Sequence, residues 1–311
     1  MKIVFMGTPQ AAVPSLERCL TDGHDVAAVY TKPDRPSGRG NKITFSPVKE
    51  FALARGLTVH QPVKIKTPEA LNTFESHGAD AAVVVAYGRI LPPAFLIANK
   101  KGAINVHFSL LPKYRGAAPV NWAIVHGETE TGVTTMQMDA GLDTGALLLQ
   151  STTNINSEET SIELMSRLSL IGADLLSQTL LRLDDIAAKP QDHAAATFAP
   201  IMKREDGLID WQMSATQIAN RLRGFQPFPS SFTYFQQQKL TIWKAVPLKE
   251  NIYGRSLPGE MIEAHGDDFV IGCGDGSVLK IEEIQPEGKR RMPVRDFLNG
   301  AKPQKGSVFA M

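Results

Sequence analysis

An amide, an imidazole and a carboxylate fall between residues 105 and 143 in a pattern that one site could gather. Asn105 and His107 stand two apart at the end of Gly102-Ala-Ile-Asn-Val-His107, which reads as a buried strand reaching its carboxyl end, so both side chains point to one face. Pro112 and Gly116 break regular structure just afterwards. Asp143 follows in the turn-rich stretch Asp139-Ala-Gly-Leu-Asp-Thr-Gly145. An Asn amide and a His N–H can stabilise an oxyanion that forms when a carbonyl carbon is attacked. A carboxylate such as Asp143 can carry the proton that must move in the same step, or orient the imidazole. Taken singly, a His near a strand end or an Asp in a glycine-flanked turn is an ordinary structural residue. Their combination with Leu110-Leu111-Pro112 is what points to catalysis.

Elements that would position these groups are legible on either side. Apolar runs at Ile3 to Met6, Val26 to Tyr30, Leu57 to His60, Ala81 to Ala86 and Ala103 to His107 read as strands. Helical patterns lie between them, and Ser46-Pro47 and Thr67-Pro68 each place a hydroxyl cap before a first-turn proline. The alternation predicts an α/β domain with a parallel sheet covered on both faces, whose ligands bind beyond the carboxyl ends of its strands. Thr131 to Met138 and Ala146 to Ser151 read as a further strand pair. Thr160 and Glu163 form a capping-box pattern opening a helix with apolar residues at Ile162, Met165, Leu168, Leu175 and Leu176. The expected organisation is a catalytic domain over 1–184, a linker over 185–203 and a second domain over 204–311. In the second domain a short helix around Ala215 to Leu222 precedes strands at Phe232 to Phe235, Leu240 to Trp243, Met261 to Ala264, Phe269 to Ile271 and Val278 to Ile284. These fit a small β-barrel, with Asp275-Gly276 as a hairpin turn.

Composition sets further bounds. The 311 residues are enough for two domains. With 33 basic and 32 acidic residues, bulk charge argues neither for nor against a nucleic-acid partner, and only local clusters can. Two cysteines, Cys19 and Cys273, fall in different predicted domains and are read as reduced thiols rather than a disulfide or zinc framework. His24, His60, His77, His126, His193 and His265 show no metal-ligand spacing, so no metal is expected. The first strand begins at Lys2, which leaves no room for a signal peptide, and no apolar run approaches the ~18 residues of a membrane span. A soluble cytoplasmic protein is expected. Gly7-Thr-Pro9 follows the first strand as a phosphate loop would, but no Gly-x-Gly-x-x-Gly is present, which argues against a nicotinamide dehydrogenase. A glycine turn and a substrate-lining role both remain open there.

The segment Asn105 to Gly116 with Asp139 to Gly145 resembles the folate-dependent formyltransferases, whose hallmark is Asn-x-His-x-Ser-Leu-Leu-Pro with a downstream Asp. Further likeness lies in Met6-Gly-Thr-Pro9, Val13-Pro-Ser-Leu16, Thr31-Lys-Pro-Asp34, Ala86-Tyr-Gly-Arg-Ile-Leu-Pro92, Lys113-Tyr-Arg-Gly-Ala-Ala-Pro119, Glu205-Asp-Gly-Leu-Ile-Asp-Trp211, Arg221-Leu-Arg-Gly-Phe225 and Pro293 to Gly300. The loop around Arg39 and the C-terminal half narrow it to the methionyl-tRNA branch. The resemblance implies a Rossmann-like catalytic domain followed by an OB-like barrel, and catalytic roles for Asn105, His107 and Asp143. It also implies transfer of formyl from 10-formyltetrahydrofolate to the amino group of initiator methionyl-tRNA. Two departures stand out. Gln10-Ala11 replace an expected Asp-Phe, and Phe108 replaces a small residue, although strand alternation should turn Phe108 away from His107.

By the same resemblance the folate would meet Tyr87, Gly88, Arg89, Ile90, Leu91, Ser109, Leu110, Leu111, Pro112 and Asp139. The stretch Lys32 to Lys42 holds four basic residues, one acid, two prolines and two glycines, a composition suited to a mobile loop that contacts phosphate. Lys32, Arg35, Arg39 and Lys42 are its expected tRNA contacts, with Arg39 matching the family's important arginine. Lys203, Lys289, Arg290 and Arg291 would extend the basic footprint on the barrel side. Rival readings are a relative acting on a small amine, a folate hydrolase using water, or a non-catalytic RNA-binding protein. The last would be marked by loss of Asn105, His107 or Asp143, and all three are present. A monomer is expected.

Overall fold

The most apolar runs of the chain become strands buried on both faces. Ile3, Val4, Phe5 and Met6 have no exposed surface, and neither do Ala81, Ala82, Val83 and Val85. Central strands of a parallel sheet read as continuous apolar runs because helices cover both faces. The computed structural model describes residues 1–37, 42–248, 253–254 and 256–309, with the side chains at 37 and 42 excepted. The chain forms two units. The first comprises Met1–Pro119, Glu130–Asn154 and Leu164–Pro200; the second comprises Val120–Thr129, Ile155–Glu163 and Ile201–Met311.

In the first unit the strands are β1 (Lys2–Gly7), β2 (Asp25–Tyr30), β3 (Arg35–Ser37), β4 (Lys42–Thr44), β5 (Val59–His60), β6 (Ala81–Val85), β7 (Ala103–His107), β8 (Arg115–Gly116), β9 (Glu130–Gln137), β10 (Leu147–Asn154) and β11 (Phe198–Ala199). Seven of them make one sheet in the order β10-β9-β7-β6-β1-β2-β5. The five from β7 to β5 are parallel, and β9 and β10 add an antiparallel edge beside β7. The expected strand over Leu57 to His60 is reduced to Val59 and His60, the two residues that reach Val29 and Tyr30 of β2. The helix starts follow their caps. Ser46 accepts from the Lys49 N–H at 3.3 Å, and Thr67 accepts from that of Ala70 at 3.2 Å.

Residues 185–203, read from the sequence as a linker, are bonded into the first unit as far as Pro200. Lys189 exchanges both backbone hydrogen bonds with Leu147, and β11 pairs with β8 in parallel. Such backbone pairing leaves no periodic mark on a stretch this short, so composition alone suggested a linker.

The second unit is built on β12 (Ser231–Phe235), β13 (Gln238–Pro247), β14 (Met261–His265), β15 (Asp268–Gly272), β16 (Val278–Pro286) and β17 (Met292–Pro293). They form an antiparallel sheet in the order β12-β13-β16-β15-β14, with β17 on β16. Asp275 (φ 61°) and Gly276 (φ 78°) turn β15 into β16, as their types predict. The barrel-type unit expected from the sequence is thus an antiparallel sheet, whose pairing path among the described residues is open, with β12 and β14 at its ends. Its core gathers Trp211, Ile218, Leu222, Phe269, Leu279, Ile281 and Phe309. Trp211 stacks on Phe309 at 5.1 Å between ring centroids and donates its indole N–H to Thr233 Oγ1 at 3.2 Å. Thr233 is fully buried, so Thr233→Val leaves that N–H without its acceptor. A loss of about 1–2 kcal/mol in urea unfolding is expected, and a change within about 0.5 kcal/mol, the range of an unremarkable surface substitution, would show that the indole finds another acceptor.

Candidate functional site

Asn105 and His107 lie at the carboxyl end of β7, opposite Met136 and Thr134 of β9. Alternation puts them on one face and Val106 and Phe108 on the other. Both of the latter lie against Gly172, in the helix Ser161–Leu181: a methyl group there would come within 3.0 Å of Val106 and 3.3 Å of Phe108. Phe108 is therefore accommodated by a glycine on the far face, away from the Asn105 amide. Among the described residues the Asn105 side chain makes no hydrogen bond, and it is partly exposed.

The turn after β7 is pinned from the antiparallel edge. Thr134 Oγ1 donates to Ser109 O at 2.7 Å and accepts from Leu111 N at 3.1 Å. Gln150 Nε2 donates to Leu111 O at 2.8 Å, and Ser109 Oγ to Lys113 O at 2.7 Å. The pinned turn carries the chain back over the strand end, so that the Tyr114 carbonyl meets His107 Nε2 at 3.0 Å. A carbonyl only accepts, so Nε2 carries the proton in this contact. The nitrogen left for a substrate is Nδ1, which lies 3.7 Å from Asp143 Oδ2. Asp143 comes from the loop between β9 and β10 and is held by the Gly116 N–H at 2.8 Å. Its φ of 52° is a left-handed conformation, which aspartate tolerates better than most non-glycine residues. Asp139 helps to shape this loop by accepting from Gly141 N at 3.0 Å and Thr144 Oγ1 at 2.6 Å. With the His107 side chain 7% and that of Asp143 13% exposed, the pair is largely shielded from solvent. The 3.7 Å separation exceeds a hydrogen bond.

The residues expected to meet folate are divided by burial. Tyr87, Leu91, Ser109 and Leu111 are buried, and Tyr87 and Leu91 belong to the core cluster of Phe74 and Phe95. Gly88 and Ile90 are exposed, while Leu110 and Pro112 are partly so. Arg89 donates to the carbonyls of Pro62 at 2.7 Å and Val63 at 3.1 Å, which bends the segment over the end of the sheet. Thr8 donates to Tyr87 O at 3.1 Å and accepts from Lys32 N at 3.2 Å. Gly7 lies so close to Phe5, Ala12 and Val85 that any Cβ would clash at 2.8–3.0 Å. Gly7-Thr8 thus joins strand ends. Lys32 turns its ammonium against Gly88, where a Cβ would come within 2.3 Å of Nζ. That places it beside the Tyr87–Leu91 segment. A separate groove of about 820 Å³, lined in part by Leu96, Lys101, Gln137 and Asp139, contains none of Asn105, His107 and Asp143.

Of the basic loop, Arg39 lies outside the described residues, as does the side chain of Lys42. The described parts form a two-stranded ribbon, β3 paired with β4, on which Arg35 is exposed. Its root is tied down. Lys49 Nζ donates to Asp34 Oδ2 at 2.5 Å and Gln61 Oε1 at 2.7 Å, and Gln61 Nε2 reaches Asp34 Oδ1, Thr31 Oγ1 and Lys32 O. The bonds from Lys49 and then Gln61 hold the Asp34 carboxyl below its ordinary range. In the second unit Lys203, Lys289, Arg290 and Arg291 are exposed. Arg291 pairs with Glu283 and lies over the Trp243 ring, which removes part of its charge from the footprint.

Among the described residues no three His, Cys, Asp or Glu side chains gather as metal ligands, and no helix is long and apolar enough to cross a membrane. Burial pushes the Cys19 and Cys273 thiols up to about 12, so neither offers a reactive thiolate near neutrality. Thr134 and Gln150, which pin the turn, and Gln191, which bonds the Asp143 backbone, escape sequence reasoning. A polar residue on an edge strand or in an aperiodic stretch carries no local sign of the backbone it will meet.

The Formyl transferase family profile matches residues 1–180, and that of the Formyl transferase C-terminal domain matches residues 201–302. The methionyl-tRNA formyltransferase of Koribacter versatilis is 51% identical over 306 residues, covering 97% of this chain and 96% of that protein. That of Alkaliphilus oremlandii is 46% identical over 311 residues, covering 99% of each. Among solved structures, an N-formyltransferase from Helicobacter canadensis, in complex with folinic acid and dTDP-3-aminofucose, superposes with a TM-score of 0.67 at 22% identity, over 92% of this chain and 99% of that one. The sugar 3N-formyltransferase WlaRD gives 0.68 at 20% identity, over 93% and 99%. These two likenesses concern the fold. The identity along nearly the whole length is the stronger finding, and by it the chain belongs to the methionyl-tRNA formyltransferase family.

Proposed function

We propose that this protein transfers the formyl group of 10-formyltetrahydrofolate to the free amino group of initiator methionyl-tRNA, and that Asn105, His107 and Asp143 carry the chemistry. The observation that carries the reading is that Asn105 and His107 share one face at the end of β7 with Asp143 3.7 Å from His107, in a chain 46–51% identical to methionyl-tRNA formyltransferases over nearly its full length. The formyl donor is a substrate that leaves deformylated. The exposed Gly88, Ile90 and Asp139 and the partly exposed Leu110 and Pro112 are the backbone and apolar surface that this reading assigns to the flat heterocycle. Tyr87, Leu91, Ser109 and Leu111 support that surface from within.

The amine nitrogen attacks the formyl carbon, and the carbonyl electron pair moves to oxygen. The Asn105 amide donates to that oxyanion, and His107 adds a second donor at Nδ1 when its ring carries both protons. Asp143 takes the proton from the attacking nitrogen, directly or through water, and returns it to the donor nitrogen as the carbon–nitrogen bond breaks. Oδ2 of Asp143 is held by the Gly116 N–H, and Oδ1, which makes no hydrogen bond among the described residues, is the oxygen available to the reacting nitrogens.

Arg35, Arg39 and Lys42 on the ribbon loop, with Lys203, Lys289, Arg290 and Arg291 in the second unit, supply positive charge for the tRNA backbone. Lys32, beside Gly88, contributes at the donor side of the same site. The Lys49–Asp34–Gln61 network sets the root of the loop. Lys49→Met is expected to raise KM for tRNA roughly tenfold, the worth of about one charge-assisted hydrogen bond, with KM for the folate donor unchanged. An equal rise in both would count against this division. The protein is expected to act as a monomer in the cytoplasm.

The testing experiment is formyl transfer from 10-formyltetrahydrofolate to charged initiator methionyl-tRNA, beside uncharged tRNA and an Asp143→Ala control. Formylation of the charged tRNA alone, lost in the control, supports the reading. Folate turnover with no formylated tRNA would move the function to a hydrolase or a small-amine transferase.

A further inference from the structure

Two backbone groups hold the candidate catalytic pair, and a single residue separates them. The Tyr114 carbonyl binds His107, and the Gly116 N–H binds Asp143. The residue between, Arg115, is only 4% exposed, yet its guanidinium meets no carboxylate among the described residues. Its fork grips Gln191 Oε1 instead, from Nε at 3.1 Å and Nη2 at 2.6 Å, and His193 Nδ1 lies 3.2 Å from both terminal nitrogens. Gln191, 6% exposed, spends its amide donors on Asp143 O at 2.9 Å and Gly145 O at 2.7 Å. Those carbonyls directly follow the point where the loop passes through the left-handed φ of Asp143. Gly145 is itself locked, since a Cβ there would lie 1.8 Å from Gln137 O.

We infer that Arg115 and Gln191 form a positioning pair that fixes the distance between Asp143 and His107. The chain at 114–116 holds both catalytic side chains from one side, and Gln191 holds the Asp143 backbone from the other. Arg115 joins the two holds through a hydrogen-bonded fork. A cation buried without a counter-charge is costly unless its donors are met, so Arg115 enforces the Gln191 orientation that aims both amide donors at the Asp143 loop. This rests on the proposed catalytic role of Asp143.

Two variants test it, with kcat, both KM values and thermal stability measured for each. Gln191→Glu keeps an acceptor, now charged, for Arg115 but cannot donate to the Asp143 and Gly145 carbonyls. A fall in kcat of roughly ten- to a hundredfold is expected, as for a catalytic group moved by about an ångström, with both KM values within about twofold. Arg115→Lys keeps the charge and loses the fork, and a smaller fall confined to kcat is expected. Each is repeated in an Asp143→Asn background, where a pair acting through Asp143 adds less than about twofold to the loss. Unchanged kcat in both variants, or the same factor of loss with and without the Asp143 carboxylate, overturns the inference. If Gln191→Glu does not fold, the Arg115→Lys cycle decides alone by the same criterion. Asp143→Asn by itself reports on the catalytic reading: near-native activity there removes Asp143 from the mechanism independently of how the pair variants behave.

Discussion

Replacing Asp143 with asparagine is expected to lower kcat for formyl transfer by roughly 10²- to 10⁴-fold, the range of a lost general acid–base. The two side chains have the same shape, and the asparagine oxygen can still accept from the Gly116 N–H that holds Asp143 at 2.8 Å. The loop is therefore expected to keep its conformation and the protein its melting temperature. What disappears is the capacity to take a proton from the attacking amine and return it to the leaving nitrogen. Both KM values should stay within about threefold, which at RT ln 3 is under 1 kcal/mol of binding. Steady-state rates at saturating donor and charged tRNA, with a melting curve of the same preparation, check this. A folded variant within tenfold of the parent in kcat would remove the proton-carrying role from Asp143.

The second large effect concerns Asn105. Its amide has no hydrogen-bonding partner among the described residues, so Asn105→Ala breaks no internal bond and should leave stability nearly unchanged. Loss of one oxyanion donor costs on the order of 3–4 kcal/mol in the transition state, a fall of a hundredfold or more in turnover. Ground-state binding of either substrate should change little, because the donor is aimed at charge that appears only after attack. A folded Asn105→Ala variant within tenfold of the parent would sink the oxyanion assignment. The two variants also separate cleanly. Raising the pH or adding a small exogenous base can help an enzyme that lacks its proton carrier, whereas neither supplies a missing oxyanion donor.

The legible parts of this protein are those with a local physical signature. The parallel strands at Ile3 to Met6 and Ala81 to Val85 are uninterrupted apolar runs, and both lie fully in the core apart from a trace of exposure at Val84. Ser46, Thr67 and the Thr160–Glu163 box cap helices because a side-chain oxygen three residues from an unpaired N–H finds it wherever the chain turns helical. Asp275-Gly276 makes its hairpin because both residues tolerate positive φ. The placement of Asn105 and His107 on one face, with Phe108 turned away, follows from strand alternation alone.

Other features have no such signature. Gln191 sits in a stretch that composition marks as a linker, yet it bonds the backbone of the Asp143 loop 48 residues away. The β8–β11 pairing that draws this stretch in is two residues long on each side. Lys32 belongs by composition to the basic loop, but its ammonium is turned to Gly88. Tyr87 and Leu91 lie in a segment expected to line the donor site, and their side chains belong to the core. In each case the deciding contact is made to a residue distant in sequence, and no local periodicity reports on it.

By itself, then, the sequence determined the two-part α/β and antiparallel-β plan, the face of β7 that holds Asn105 and His107, and the family to which these residues point. Residue type and spacing govern hydrophobic burial, capping and alternation over a few residues, so these could be read along the chain. Long-range contacts were needed for Tyr114 and Gly116 to hold His107 and Asp143 from a single turn, with 3.7 Å between the imidazole and the carboxylate. That distance is set by backbone hydrogen bonds closing over β7, from a loop that Gly116 holds at the Asp143 carboxylate and Gln191 holds at the Asp143 carbonyl.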